Sequence, residues 1–142
     1  MGLLNRLFGR SASSATDRDV FLMDGVGRCW LAAVGESYYQ PALWAAVGSD
    51  PHNTPFDYPV VAVLIADPNN KYDRNAIAVY VHGGGQVGHL SREDAIAYGP
   101  HMKELARRSS GKAIACNAVI VGNSGNDGRP MMLGIWLDAD EV

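Results

Sequence analysis

Two runs rich in β-branched residues, 60–66 with Val60, Val61, Val63 and Ile65, and 76–81 with Ile77, Val79 and Val81, flank the polar stretch Asp67-Pro68-Asn69-Asn70-Lys71-Tyr72-Asp73-Arg74-Asn75. Both runs have the length and composition of strands, and Asp, Asn and Pro between them are turn formers, so the pair reads as two strands joined by a polar loop. Gly83-Gly84-Gly85 then makes a tight turn into a third strand at 86–90. Three consecutive strands of this kind form a meander, and the rest of the chain must cover or extend it.

Upstream, residues 29–34 read as a further strand and 41–47 as a short helix that begins with Pro41, a residue the first helical turn accepts readily. Residues 48–59 hold Pro51, Pro55 and Pro59 and are predicted to be an irregular loop. After the meander, Ser91 has the character of an N-cap with Asp94 three residues on, and Ala95, Tyr98, Met102 and Leu105 recur near helical spacing. Gly99-Pro100 is expected to kink or split that helix. Residues 113–121 and 131–137 read as two last strands around a Gly/Asn/Asp-rich loop at 122–129. Five or six short strands with one main helix after the third fit a mainly β (α+β) fold, a small, partly closed barrel.

The chain of 142 residues, 47% of them hydrophobic and 19% charged, suffices for one domain with its own core. Residues 1–18 are read as a tether and 19–142 as the domain. Leu3, Leu4, Leu7 and Phe8 lie on one side of a potential helix, followed by the Ser/Ala/Thr stretch 11–16. A myristoylation pattern is not met, because Arg6 stands where Ser or Thr is required. With neither a secretory signal nor an apolar run of about 20 residues, a cytoplasmic location without an integral membrane segment is expected. Cys29 and Cys116 sit in apolar surroundings and are expected to be reduced thiols. The net charge of −3 argues against a protein that coats long DNA. Residues 71–112 nevertheless hold seven Lys or Arg against four Asp or Glu, a local excess of three positive charges.

Three segments taken together, Val34-Gly35-Glu36-Ser37-Tyr38-Tyr39-Gln40, then Asn69-Asn70-Lys71-Tyr72-Asp73-Arg74, then Gln86-Val87-Gly88-His89-Leu90, resemble in order and spacing the signature of HIRAN domains. The resemblance spans about residues 29–137. It implies an OB-like modified barrel of five to six strands with two helices, and a pocket for single-stranded DNA that recognises a free 3′-hydroxyl end. The residues it assigns to DNA binding are Tyr38, Tyr39, Asn70, Tyr72, Asp73 and His89, with Arg74 adjacent. Aromatic faces stack on bases for about 1–3 kcal/mol each. A carboxylate such as Asp73 accepts a hydrogen bond from a 3′-hydroxyl and repels a 3′-phosphate. Ser37 stands where some relatives carry an arginine, and no ring accompanies Val121-Gly122-Asn123 where some relatives place one. The family further implies a partner among helicases or repair proteins. Its hydrolase activity belongs to fused helicase parts that this sequence lacks, so no catalytic residue is assigned.

The same residues admit plainer roles. Asp67, Asn69, Asn70 and Asp73 can build Asx-turns, and His89 can be a satisfied strand residue. Lys71 stands where an EF-hand loop needs an oxygen ligand, so no metal or other cofactor is expected. The run 83–90 imitates a phosphate-binding loop, yet His89 and Leu90 replace its Lys and Ser/Thr. Two other classes stay open: an interaction adaptor with a decayed DNA pocket, and a metal-dependent nuclease or phosphodiesterase built on residues 67–73. Oligomeric state and base preference are left open by the sequence.

Overall fold

The computed structural model describes residues 20–48, 56–122 and 131–142. Its elements in chain order are β1 (Val20–Leu22), β2 (Leu31–Ala32), a 3-10 turn (Glu36–Tyr38), α1 (Gln40–Val47), β3 (Phe56–Ala66), β4 (Ile77–Val81), β5 (Gly85–His89), α2 (Arg92–Arg108), β6 (Ala113–Gly122) and β7 (Leu133–Asp138). The expected tether and most of the 122–129 loop lie outside the described residues.

All seven strands of the described residues belong to one sheet, six of them in the order β2-β7-β6-β3-β4-β5 and β1 beside β6. The pairs along this path are antiparallel. β6 is its spine: β3 lies along one edge from Phe56 to Leu64, while β7 and the parallel strand β1 share the other. The two outer members of the path meet again beyond β2, where the amide of Val34 donates to the carbonyl of His89 at 2.8 Å and the amide of His89 donates back at 3.0 Å. This two-bond bridge joins the ends of the sheet into a barrel. The mainly β, barrel-like architecture with two helices therefore agrees with the expectation.

One face of the sheet supplies the core. Ile77, Val79 and Val81 of β4 and Val87 of β5 point inward with Leu64, Ile114, Ile120, Ile135 and Leu137, joined by Leu43 from α1 and by Tyr98, Met102 and Leu105 from α2. Alternation along each strand sends the next residues to the opposite face, where Val61, Val63, Ile65 and Tyr80 form a second, smaller apolar cluster with Val20 and Ala115.

Three boundaries differ from the sequence reading. β3 begins at Phe56, inside the expected 48–59 loop, and carries Pro59. β4 reaches back only as far as Ala62, so Pro59 pairs with Val119 alone and no strand on its other side asks for its missing N–H. β2 shrinks to two residues, because the αL glycine Gly35 (φ 78°) turns the chain soon after Ala32. α2 runs unbroken through Gly99-Pro100 from its Ser91 cap, whose hydroxyl oxygen accepts the Asp94 amide at 3.1 Å. Four buried side chains along α2 hold it to the core and outweigh the single backbone bond that Pro100 cannot make.

Candidate nucleic-acid interface

Residues 35–40 form a short, pinned crossing between β2 and α1. Glu36 Oε2 accepts the amide of Ile135 at 2.9 Å, and Gln40 exchanges two hydrogen bonds with the backbone of Leu133, at 2.8 and 2.9 Å. Both residues thus fasten the aromatic pair between them to β7. A Cβ at Gly134 would come within 2.5 Å of Glu36 Oε2, so the glycine makes room for the carboxylate. Burial lifts the Glu36 carboxyl above its ordinary range, and the Ile135 amide offsets part of that rise.

The chain turns between the two tyrosines. Tyr38 is 86% exposed and points away from the core. Tyr39 is half-buried, with its ring centroid 5.8 Å from that of His89 in an edge-on arrangement. The His89 Nε2 lies 3.0 Å from the side-chain nitrogen of Gln86, and the tautomer in which Nε2 accepts from that amide carries its proton on Nδ1. Register places His89 across from Ala78, which faces Ile65, and places Gln86 across from Tyr80, which faces Val63. His89, Gln86 and Tyr80 therefore share the face opposite the core, and Tyr39 leans on it. Tyr80 is held above its ordinary phenol range first by burial and then by the charges of Asp67 and Tyr39, so it stands within electrostatic reach of both the loop and the aromatic crossing.

The 67–76 loop leaves β3 one residue past the row that contains His89. Its shape comes from its own polar side chains. Asn70 Oδ1 accepts the amides of Tyr72 and Asp73 at 2.9 and 3.1 Å, and Asp73 Oδ1 accepts the amide of Asn75 at 2.9 Å. The Asx-turn reading of Asn70 and Asp73 is thereby realised. Arg92, the first residue of α2, clamps the loop from outside: its Nη2 donates to the Tyr72 carbonyl at 3.2 Å, and its Nε is 3.7 Å from Asp73 Oδ2. Tyr72 stays 78% exposed, with the Lys71 ammonium 5.1 Å from its ring centre. Arg74 is exposed and lines a separate cavity between the end of β3 and α2.

The structure thus brings Tyr39 and His89 into contact and gathers Asn70, Tyr72 and Asp73 in one loop, with Tyr38 standing free beside the first group. Sequence reasoning did not single out Glu36, Gln40, Gln86 or Tyr80, and Arg92 entered it only as one of the seven cations of residues 71–112. The first four lie inside or opposite the signature segments, but strand register is needed to see what they touch. Among the described residues no group of three His, Cys, Asp or Glu is placed to hold a metal ion, and no helix is long and apolar enough to cross a membrane.

A small curled sheet with an aromatic crossing on its edge and a polar loop at its end is the frame on which the three signature segments converge. The chain belongs to the HIRAN family, whose HIRAN domain model matches residues 26–140. Among solved structures, the chain is similar to the crystal structure of the HIRAN domain of human HLTF, with 27% identity over 66% of this chain and 83% of that one and a TM-score of 0.31. It is also similar to the NMR structure of the HLTF HIRAN domain in its DNA-bound conformation, with 29% identity over 74% and 70% of the two chains and a TM-score of 0.36. A crystallised protein from Lactobacillus plantarum shares 17% identity over 75% and 88%, with a TM-score of 0.37. No curated protein matches the sequence.

Proposed function

We propose that this chain is a DNA-binding module that takes the unpaired 3′ end of a strand on the face formed by Tyr38, Tyr39, Tyr72 and His89. The observation that carries the reading is the Tyr39–His89 contact on a sheet face bordered by the Asn70–Asp73 loop, within a member of the HIRAN family. Tyr38 and Tyr72 expose their rings and offer stacking surfaces that any base can use. His89 Nδ1–H is free to donate to a phosphate oxygen, since Nε2 is occupied by Gln86. The cations Lys71 and Arg92 border the Tyr72–Asp73 corner and supply the phosphate contacts that Ser37 cannot.

At Asp73, Oδ1 is committed to the loop backbone, which leaves Oδ2 facing Arg92 as the acceptor for a terminal hydroxyl. A 3′-phosphate brought there would meet a carboxylate and be disfavoured. Fluorescence anisotropy with a short single strand ending in 3′-hydroxyl or 3′-phosphate tests this. The hydroxyl end is expected to bind at least about tenfold more tightly, equivalent to about 1.4 kcal/mol, and Asp73→Asn is expected to erase the difference. Equal affinity of the native protein for both ends refutes end recognition, and an unchanged affinity in Tyr39→Ala refutes the face. A role in repair or stalled-fork processing, with a helicase or repair protein as partner, is the setting in which such a module would act.

A further inference from the structure

Away from the signature face, α2 and the ends of β3, β4 and β6 enclose a half-open cavity of about 550 Å³. Its floor is aliphatic: Leu64, Ile65, Ile77, Ile96, Met102 and Ile114. Ile96 is 56% exposed, although Ala95, Tyr98, Met102 and Leu105 of the same helix are buried. Among the described residues, the charged ones on the lining are Arg74, Lys103 and Lys112, all exposed, and no Asp or Glu joins them. Among the described residues none of these three cations enters an ion pair. The nearby acids are already engaged, Asp73 with Arg92 and Glu104 with Arg107.

We propose that this cavity is a second binding site, for a small aliphatic anion: a flexible hydrocarbon body on the floor and a single carboxylate, sulfate or phosphate head between Arg74, Lys103 and Lys112. Size and lining are those of a small-molecule site, concave and apolar with a few converging polar groups. The absence of an aromatic ring among the described lining residues separates it from the DNA face, because bases are held on rings and this floor offers none. The charge excess selects the sign of the head group, and the lack of carboxylates on the lining leaves a cationic amphiphile without a partner.

The test uses the full chain with decanoate as the probe and decyltrimethylammonium as its sign-reversed control, read by the isoleucine methyl resonances in NMR. Decanoate is expected to shift the Ile65, Ile96 and Ile114 methyls saturably and with one site, while the cationic control leaves them unmoved. Reversal of the rim in the triple variant Arg74→Glu, Lys103→Glu, Lys112→Glu, all at exposed positions, is expected to weaken decanoate binding about tenfold or more. Gly99→Leu supplies an independent check, since a Cβ there meets no atom within 4 Å and the leucine grows into open space at the cavity mouth; it is expected to compete with the hydrocarbon chain. The proposal is overturned if decanoate gives no saturable shift below its micelle concentration, if the cationic control binds equally, or if the rim reversal leaves affinity unchanged. It is also overturned if a 3′-hydroxyl oligonucleotide shifts these methyls and decanoate does not, which would return the cavity to nucleic acid. Failure of the decanoate arm leaves the end-recognition test of Asp73 untouched, so the two readings fall separately.

Discussion

Gly88 shows how one absent side chain shapes both fold and site. A Cβ at this position would sit 2.8 Å from the carbonyl oxygen of Val34 and 3.5 Å from Ala33 Cβ, at the bridge that closes the barrel. Gly88→Ala is therefore expected to force the bridge apart and to destabilise the domain by about 1–3 kcal/mol, the usual cost of overpacking, measured as a lower urea midpoint. Hydrogen exchange at the Val34 and His89 amides should rise more than at β6 amides. In the sequence, Gly88 reads as one letter of the segment Val87-Gly88-His89-Leu90; its reason for being glycine emerges only when residue 34, more than fifty positions away, is seen across from it. Asn70 and Asp73 are the opposite case. Their turn-forming side chains were legible at once, because Asx-turns are built from neighbours in the chain.

At the scale of elements, the crossing at 35–40 depends on a half-buried carboxyl whose protonation alters its fit. Burial raises the Glu36 carboxyl above its ordinary 4.5 in the folded protein. A carboxyl raised by folding contributes stability fully below its unfolded value and loses that contribution as pH climbs through the raised one. Glu36→Gln keeps an oxygen to accept the Ile135 amide and removes the charge. The variant is expected to be more stable than the native protein at pH 7 and to lose that advantage at pH 4, compared by urea midpoints at the two values. Strands 60–66 and 113–121 and the body of α2 were readable from local pattern, since each carries enough residues to display its period. β1, at three residues, was not, and β2 was read as the longer strand 29–34, because their pairing rests on partners that follow by about a hundred positions. Pro59 misled for a related reason: a proline marks a break only where a neighbouring strand lies on the side its N–H would face, and that side is set by pairing.

For the molecule as a whole, the C-terminal residues act as a fastening. Asp138 accepts the amides of Val26 and Gly27 at 2.7 and 3.2 Å, and Asp140 takes the amide of Gly25 and the His101 imidazole at 2.7 and 2.8 Å. The Tyr98 hydroxyl donates to the Asp140 carbonyl from inside the core, and burial with the surrounding acids pushes its phenol up to about 12. Burial likewise carries the Cys116 thiol to about 12, with Cys29 and Asp138 adding to the rise. Both groups are raised on folding, so the stability tied to their protonated forms is complete below their ordinary values and drains away as pH approaches 12. Denaturation in urea at increasing pH is expected to show a steep loss beginning near pH 9–10, and Tyr98→Phe is expected to make that limb shallower. At neutral pH the same burial leaves Cys116 unreactive toward alkylating agents until the domain unfolds.

The residue whose backbone latches the two ends of the sheet is also the one whose imidazole meets Tyr39. Breathing at that seam consequently carries the ring with it, whereas a side-chain change at either ring leaves the backbone latch in place. A ligand gripping the ring would act as a wedge holding the latch shut, and the seam would open less often while it stayed bound.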